Sequence, residues 1–407
     1  MNSNLANNHP YSGGIRALFG AALAIFVVTV GIGILNGTDL VKFEYRALLG
    51  HVHSGTLGWI SLSVFAASLW LFGEKSSVGW HARIAKALPV TAIVAFVAYV
   101  TAFFLTTNVG RPITGTFALL VIIAYLVWVF AQASHVVLSV PRLGVLAGAA
   151  TLAVGAVLGV LLGLQQAGTI DFLPDGASGA HPAAMVVGFL IPIGMALSEW
   201  RLTPELVDMP ADRAGRIQIG APFLGGILLM VGALFDITPL IGLSLPLEIT
   251  GIVIFIRRLL VPMRAVDWAR GRWERGSVAT AAFLVLDTAL LVYLIVRYKG
   301  EVDSAPKHLI LALDHMLFIG VMTNSVFALV NDAGRHRRWL HLDNWVFWAM
   351  NSGLVVFILG LLADATVLKR IGAPIMGTAI LIGIVTMAAR LSGPAETEPS
   401  SALPLRL

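Results

Sequence analysis

Twelve long apolar runs dominate this chain, and they restrict it to one class of fold. Each run has about 20 mostly apolar residues, enough to cross the hydrocarbon core as a helix. Backbone in lipid must satisfy its own hydrogen bonds, so only helices or closed barrels can span, and these runs lack a barrel strand's alternation. Of the 407 residues, 57% are hydrophobic and 12% charged. We therefore predict an all-α polytopic membrane bundle of about twelve transmembrane helices.

The predicted spans follow one another closely and leave no linker long enough for a further domain. They cover 16–36, 51–73, 84–107, 113–138, 144–166, 181–199, 216–236, 239–257, 277–297, 308–330, 342–364 and 370–391. We predict an N-terminal tail over 1–15, one membrane domain over 16–391 and a C-terminal tail over 392–407. The polar start and the full length of the first run indicate that no signal peptide is removed.

Basic residues predict the orientation. Of the 27 Lys and Arg residues, 19 fall on the side shared by the two termini and 8 on the other, which predicts that both termini are cytoplasmic. The segment RRLLVPMRAVDWARGRWERG, 257–276, carries six of the arginines. We interpret it as a topology signal and an interfacial helix on anionic lipid, and we expect membrane lipid and no nucleic acid as its partner.

The chain has no cysteine. Disulfides, thiolate-bound zinc, iron–sulfur clusters and covalently attached c-type haem are therefore excluded. A bound metal would need ligands from His, Met or carboxylate side chains.

Half of the ten histidines fall at the predicted outer ends of helices 2, 6 and 10. They are His51, His53, His181, His308 and His315. Ionisable groups at membrane depth are costly and usually functional, and neutral imidazole binds metals and haem iron. The alternative is that the imidazoles only reach the interface or bond a loop.

Two of these segments look like copies of one helix. HSGTLGWISLSVFA begins at His53 and HMLFIGVMTNSVFA begins at His315; each has a glycine five residues later and shares the ending SVFA. HPAAMVVGFLIPIGMA begins at His181, and its glycine follows by seven residues, the interval between His51 and Gly58. His315 is thus the counterpart of His53, and His181 that of His51. The spacing predicts three four-helix repeats.

Helical geometry separates the histidines further. Positions i and i+2 point about 200° apart, so His51 and His53 must serve two different sites. His308 and His315 are seven residues apart and return to nearly the same face. Gly58 and Gly320 remove side-chain bulk, which would let either a flat macrocycle or another helix approach closely.

The segment YRALLGHVHSGTLGWISLSVF resembles the second-helix region of the nitric oxide reductase large subunit, in the haem–copper oxidase superfamily. The resemblance implies a low-spin haem b held by one histidine from helix 2 and one from helix 10. The pair would be His53 and His315, with His51 as the alternative on helix 2. AHPAAMVVGF resembles the helix-6 segment that supplies a ligand to the non-haem metal, which would be His181.

This chain departs from that superfamily in two places. Its helix 7 has no histidine, and LDHMLFIG stands where helix 10 would carry His-x-His, so a complete binuclear centre is not expected. HVHSGTLGW and LDHMLFIGVMTNSVFALVNDAGRHR are also similar to NnrS, a twelve-helix family that contains haem and copper and is associated with nitric oxide stress.

The resemblances imply electron transfer, or handling of nitric oxide or oxygen, near the outer face of a bacterial inner (cytoplasmic) membrane, with an electron-donor protein as partner. Enzymatic activity stays open. Arg46 or Lys307 would pair with the haem propionates. A second, weaker site for copper, non-haem iron or a gas would involve His181, His51 and His308.

Two other functions compete with this interpretation. A transporter could use Glu248 and Asp287 as mid-membrane carboxylates, which could instead feed protons inward or form a structural hydrogen bond. A metal-free assembly subunit is the second alternative. Asp314 directly precedes His315, and neighbours on a helix diverge by about 100°, so Asp314 is poorly placed to orient that imidazole.

Overall fold

The prediction of a twelve-helix membrane bundle is confirmed. The computed structural model describes residues 9–75, 78–105, 109–269, 273–300, 304–334 and 339–392. These ranges contain no strand and twelve helices long and apolar enough to span a membrane. In chain order, α1 to α12 are Ser12–Gly37, Tyr45–Phe72, Gly79–Leu105, Gly110–Ala133, Val140–Gln166, Ala177–Leu202, Arg213–Leu234, Thr238–Arg264, Glu274–Arg297, Lys307–Ala333, Leu340–Leu362 and Thr366–Ser392.

The ends of the bundle differ slightly from the predicted tails. α1 begins at Ser12, inside the predicted N-terminal tail, and α12 ends at Ser392. Residues 1–8 and 393–407 lie outside the described residues. His9 is buried, and its Nδ1 accepts the N–H of Tyr11 at 3.2 Å. Burial lowers the pKa of His9 to about 4, so its ring is neutral at neutral pH.

α2, α6 and α10 form the centre of the bundle. Other parts of the same chain bury 89%, 83% and 67% of the residues in their most apolar segments, against 33–56% for the other nine helices. α2 and α6 each contact α10, and the remaining helices surround these three. The inner helices are thus the ones that carry the five histidines predicted at the outer face, and they lie four helices apart in the chain, as expected for three four-helix units.

Each inner helix changes to a π-helix within one position of the same point in the repeat. The π segments are Ser54–Ser61, Ala183–Leu190 and Met316–Thr323, and they begin directly after His53, Pro182 and His315. π turns are rare and occur often at functional sites. Their presence at matching places supports the repeat and marks the histidine level of the bundle.

The arginine-rich segment 257–276 is mostly helix end. α8 continues through Arg264 and α9 begins at Glu274, while residues 270–272 lie outside the described ranges. Arg258 pairs with Glu199 of α6 at 2.8 Å, and Arg275 donates to the backbone oxygen of Asp343 at 3.0 Å. The described part contains no separate interfacial helix here, because α8 continues through Arg264 and residues 265–269 are not helical.

The orientation stays a prediction that reporter fusions can check. A fusion at Asp175, in the loop between α5 and α6, is expected to report the outer side. A fusion at Arg270, which lies outside the described residues, is expected to report the cytoplasm. The opposite pattern would place all five outer histidines at the cytoplasmic face.

Candidate histidine sites

Four histidines face two cavities on opposite sides of α2. His53 and His181 line a cavity of about 350 Å³ enclosed mainly by α2 to α6, here called the α2–α6 cavity. His51 and His315 line a smaller space of about 100 Å³ among α1, α2, α10, α11 and α12, here called the α2–α10 cavity. The divergence expected for His51 and His53 is therefore present.

The same kind of hydrogen bond fixes all four imidazoles. Each Nδ1 lies within 2.7–2.9 Å of a backbone carbonyl oxygen. A carbonyl only accepts, so each Nδ1 carries the proton and donates it, which leaves the Nε2 lone pair available. No hydrogen bond to these Nε2 atoms occurs within the described part of the chain. The carbonyls belong to Thr29 for His51, Leu49 for His53, Gly155 for His181 and Leu311 for His315.

Metal-binding histidines are held in this way in proteins: one ring nitrogen donates to a fixed acceptor, and the other faces the metal. Because Leu311 supplies the acceptor for His315, Asp314 does not orient that ring, as expected. Asp314 instead lines both cavities.

His53 and His181 have the spacing of a ligand pair. Their ring centres are 6.3 Å apart and their planes differ by 14°. Metal–imidazole bonds are about 2 Å long and a ring centre lies about 1 Å beyond its nitrogen, so two imidazoles on opposite sides of one ion have centres about 6 Å apart. The rings thus match that dimension.

Other residues hold these two rings in place. The His53 ring stacks on Phe103 with centres 4.4 Å apart and meets Tyr99 edge-on at 5.6 Å. Gly159 faces His181, where a Cβ atom would lie 2.9 Å from the ring carbon Cε1. A larger residue than glycine at 159 would therefore move the imidazole.

One candidate functional residue, Arg111, was not predicted from the sequence. Arg111, in the first turn of α4, lines the α2–α6 cavity, and its guanidinium lies 5.5 Å from the centre of the Phe103 ring. In the sequence, Arg111 stands out only as one of the eight basic residues on the predicted outer side. Its position in the first turn of α4, at the same end of the helices as the histidines, is the signal that could have identified it.

The α2–α10 cavity is more apolar. The ring of Phe357 meets His315 edge-on with centres 5.0 Å apart, and a Cβ atom at Gly33 would lie 3.4 Å from His51 Cε1. Trp59 stacks on Phe26 at 4.4 Å and contributes to the wall. Thr29, Asp314 and the two imidazoles bring polar groups to a lining that is otherwise mainly apolar.

The structure does not bring His53 and His315 into one cavity. They occupy equivalent positions of a repeat, and residues related by rotation about the centre of a bundle face equivalent interfaces, not the same one. Each cavity instead combines one histidine of the His53 type with one of the His51 type. For the same reason His181 shares a cavity with His53 and not with His51.

Three other predicted site residues lie elsewhere. His308 donates from Nδ1 to the carbonyl oxygen of Leu361 at 2.8 Å, joining α10 to α11, and lines neither cavity. Arg46 pairs with Glu44 at 3.1 Å on the surface, and Lys307 is exposed. Neither basic residue lines a histidine cavity.

The two repeat glycines serve helix packing. The side chain of Ile25 lies against Gly58, and the ring of Phe283 lies against Gly320, each too close for a Cβ atom. Of the two roles that the sequence left open, the structure shows close approach of a neighbouring helix.

The mid-membrane carboxylates are buried as expected. Glu248 on α8 and Asp287 on α9 are both 0% exposed, and neither has a hydrogen-bond partner among the described residues. Asp287 is close enough to interact electrostatically with both Glu248 and Asp314. Neither Glu248 nor Asp287 lines a histidine cavity.

Within the described ranges, no group of three or more His, Asp or Glu side chains is placed to hold a metal ion. The copper or non-haem iron site expected from the resemblance thus has no such ligand group there. Two histidines line each cavity, and a haem with two axial protein ligands needs no more than two.

Comparison with known proteins gives no assignment. No protein-family model matches the chain, and no curated protein matches its sequence.

Proposed function

We propose that this protein is a b-type haem membrane protein that transfers electrons at the histidine level of the bundle. The observation that carries the proposal is that four half-buried imidazoles, each held by an Nδ1–H bond to a backbone carbonyl, line two cavities in pairs. A structural role alone would not explain why two imidazoles line each of the two cavities.

The first haem is assigned to His51 and His315. They line the same cavity, and they come from the two helices that the resemblance selects for a low-spin haem. Bound by two imidazoles, haem supplies one-electron chemistry, and it binds nitric oxide or oxygen only when one imidazole leaves. The proposal therefore favours electron transfer over gas binding at this pair.

The first haem fits only if the cavity widens. The donor atoms suit the iron, but the present space of about 100 Å³ is smaller than a macrocycle. Binding therefore requires the rings of Phe318 and Phe357, which line the cavity, to turn aside. His51 and His315 then orient the cofactor, and the apolar wall excludes water from it.

Spectra of the purified protein test the proposal. We expect sharp low-spin bands on reduction, and we expect His51→Ala or His315→Ala to remove the contribution of one haem. His308→Ala is the matched control, because it removes an imidazole of α10 with the same kind of carbonyl bond but outside both cavities. Absence of haem from protein made in haem-replete cells, or full haem content in both variants, would reject the proposal.

A further inference from the structure

We propose that the α2–α6 cavity holds a second haem, with His53 and His181 as its axial ligands, so that one chain carries a haem on each face of α2. The inference rests on the proposed function for the nature of the cofactor. Its own support is the geometry of this cavity, which differs from that of the first pair.

The spacing of the two imidazole rings suits a shared metal ion. The ring centres of His53 and His181 are 6.3 Å apart, close to the value of about 6 Å for two imidazoles on one metal ion. Both Nδ1 atoms donate to carbonyl oxygens, at 2.8 Å and 2.9 Å, so both rings offer Nε2.

The cavity also has room for a flat group. Its volume of about 350 Å³ lies within the roughly 300–1,000 Å³ typical of cofactor sites. Gly115, Gly159 and Gly163 form part of its wall. A Cβ atom at Gly115 would lie 3.0 Å from the Tyr99 ring, so glycine keeps that ring in place.

The polar residues of the cavity suit the two propionates of a haem. Arg111 stands at the start of α4, and Tyr45, Gln166 and Ser178 lie at the ends of α2, α5 and α6 that face the same side. A guanidinium is a strong partner for a carboxylate. The propionates therefore point to this end of the bundle, with Arg111 taking the role that the sequence analysis gave to Arg46 or Lys307.

Two haems in these positions would be adjacent, so that electrons could be exchanged between them. Their ligands His51 and His53 are separated by one residue on α2, and Asp314 lines both cavities. An electron could pass between the haems without leaving the centre of the bundle. The positive charge of Arg111 beside only one of them gives the two haems different reduction potentials.

The ratio of haem to protein tests the inference. We expect two haems per chain in the unchanged protein and in His308→Ala, and one in His53→Ala or His181→Ala, with the spectrum of the other haem retained. Added free imidazole should restore the lost signal in His53→Ala, which separates ligand loss from misfolding. We expect Arg111→Gln to lower the reduction potential of the haem held by His53 and His181.

Failure of this inference is distinguishable from failure of the proposed function. A protein with one haem that is lost in His51→Ala and His315→Ala but unchanged in His53→Ala and His181→Ala would reject the second site and keep the first. A protein without haem would reject both.

Discussion

Replacement of Asp343 by alanine is expected to lower the free energy of unfolding by about 3–5 kcal/mol. Asp343 and Arg390 are 1% and 0% exposed, and two hydrogen bonds of 2.8 Å and 2.9 Å join them. Removing the carboxylate leaves a buried guanidinium with Asn331 as its remaining side-chain oxygen partner in the described residues. Denaturant unfolding in detergent, followed by circular dichroism, measures the loss.

Glu44→Ala is the matched control for this prediction. Glu44 also pairs with an arginine, Arg46, at 3.1 Å, but the two side chains are 76% and 50% exposed. Exposed pairs contribute about 0–1 kcal/mol, so the control should change stability little. An Asp343→Ala variant as stable as the control would mean that the pair does not hold α11 against α12.

Loss of the Asp343 pair should leave the haem spectra of the folded fraction unchanged. Asp343 lies in the first turn of α11 and Arg390 in the last turns of α12, while Phe357 of α11 and Met376 of α12 line the α2–α10 cavity further along each helix. The ion pair thus fixes the helices at the end remote from the histidines. One end of α11 and α12 thus contributes to stability through the ion pair, and another part of the same helices lines the proposed cofactor cavity.

The helices of this protein are predictable from sequence, because backbone in lipid leaves few alternatives to a long apolar helix. Local pattern does not reveal the π segments. The residues Ser54–Ser61 read as ordinary helix, and the wider turn depends on how α2 packs in the centre. The observed helix boundaries also differ from the predicted ones where a charged side chain has a partner inside the bundle. Arg258, which pairs with Glu199, is an example.

The histidine sites were only partly predictable. Sequence spacing correctly separated His51 from His53 and correctly matched His315 with His53 in the repeat. It did not reveal which histidines share a cavity, because that depends on the directions in which the three inner helices face each other. His308 shows the same limit: it lies near the face of His315, yet its ring contacts the backbone of α11.

Replacement of Gly353 by alanine is expected to destabilise the protein by about 1–3 kcal/mol, because it overpacks a helix contact. A Cβ atom there would lie 2.5 Å from the backbone nitrogen of Met376 and 2.9 Å from its Cα. Backbone cannot turn aside as a side chain does, so α11 and α12 must separate. Since Phe357 and Met376 line the α2–α10 cavity, this separation should weaken binding of the first haem.

The haem ratio and the unfolding curve together check the Gly353→Ala prediction. We expect the ratio to fall from two towards one, with the spectrum assigned to His53 and His181 retained, since the α2–α6 cavity uses neither α11 nor α12. Gly31→Ala in α1 is the control, because no atom lies within 4 Å of its added Cβ and alanine favours a helix interior by about 0.5–1 kcal/mol. Equal behaviour of the two variants would show that the α11–α12 contact does not shape the α2–α10 cavity.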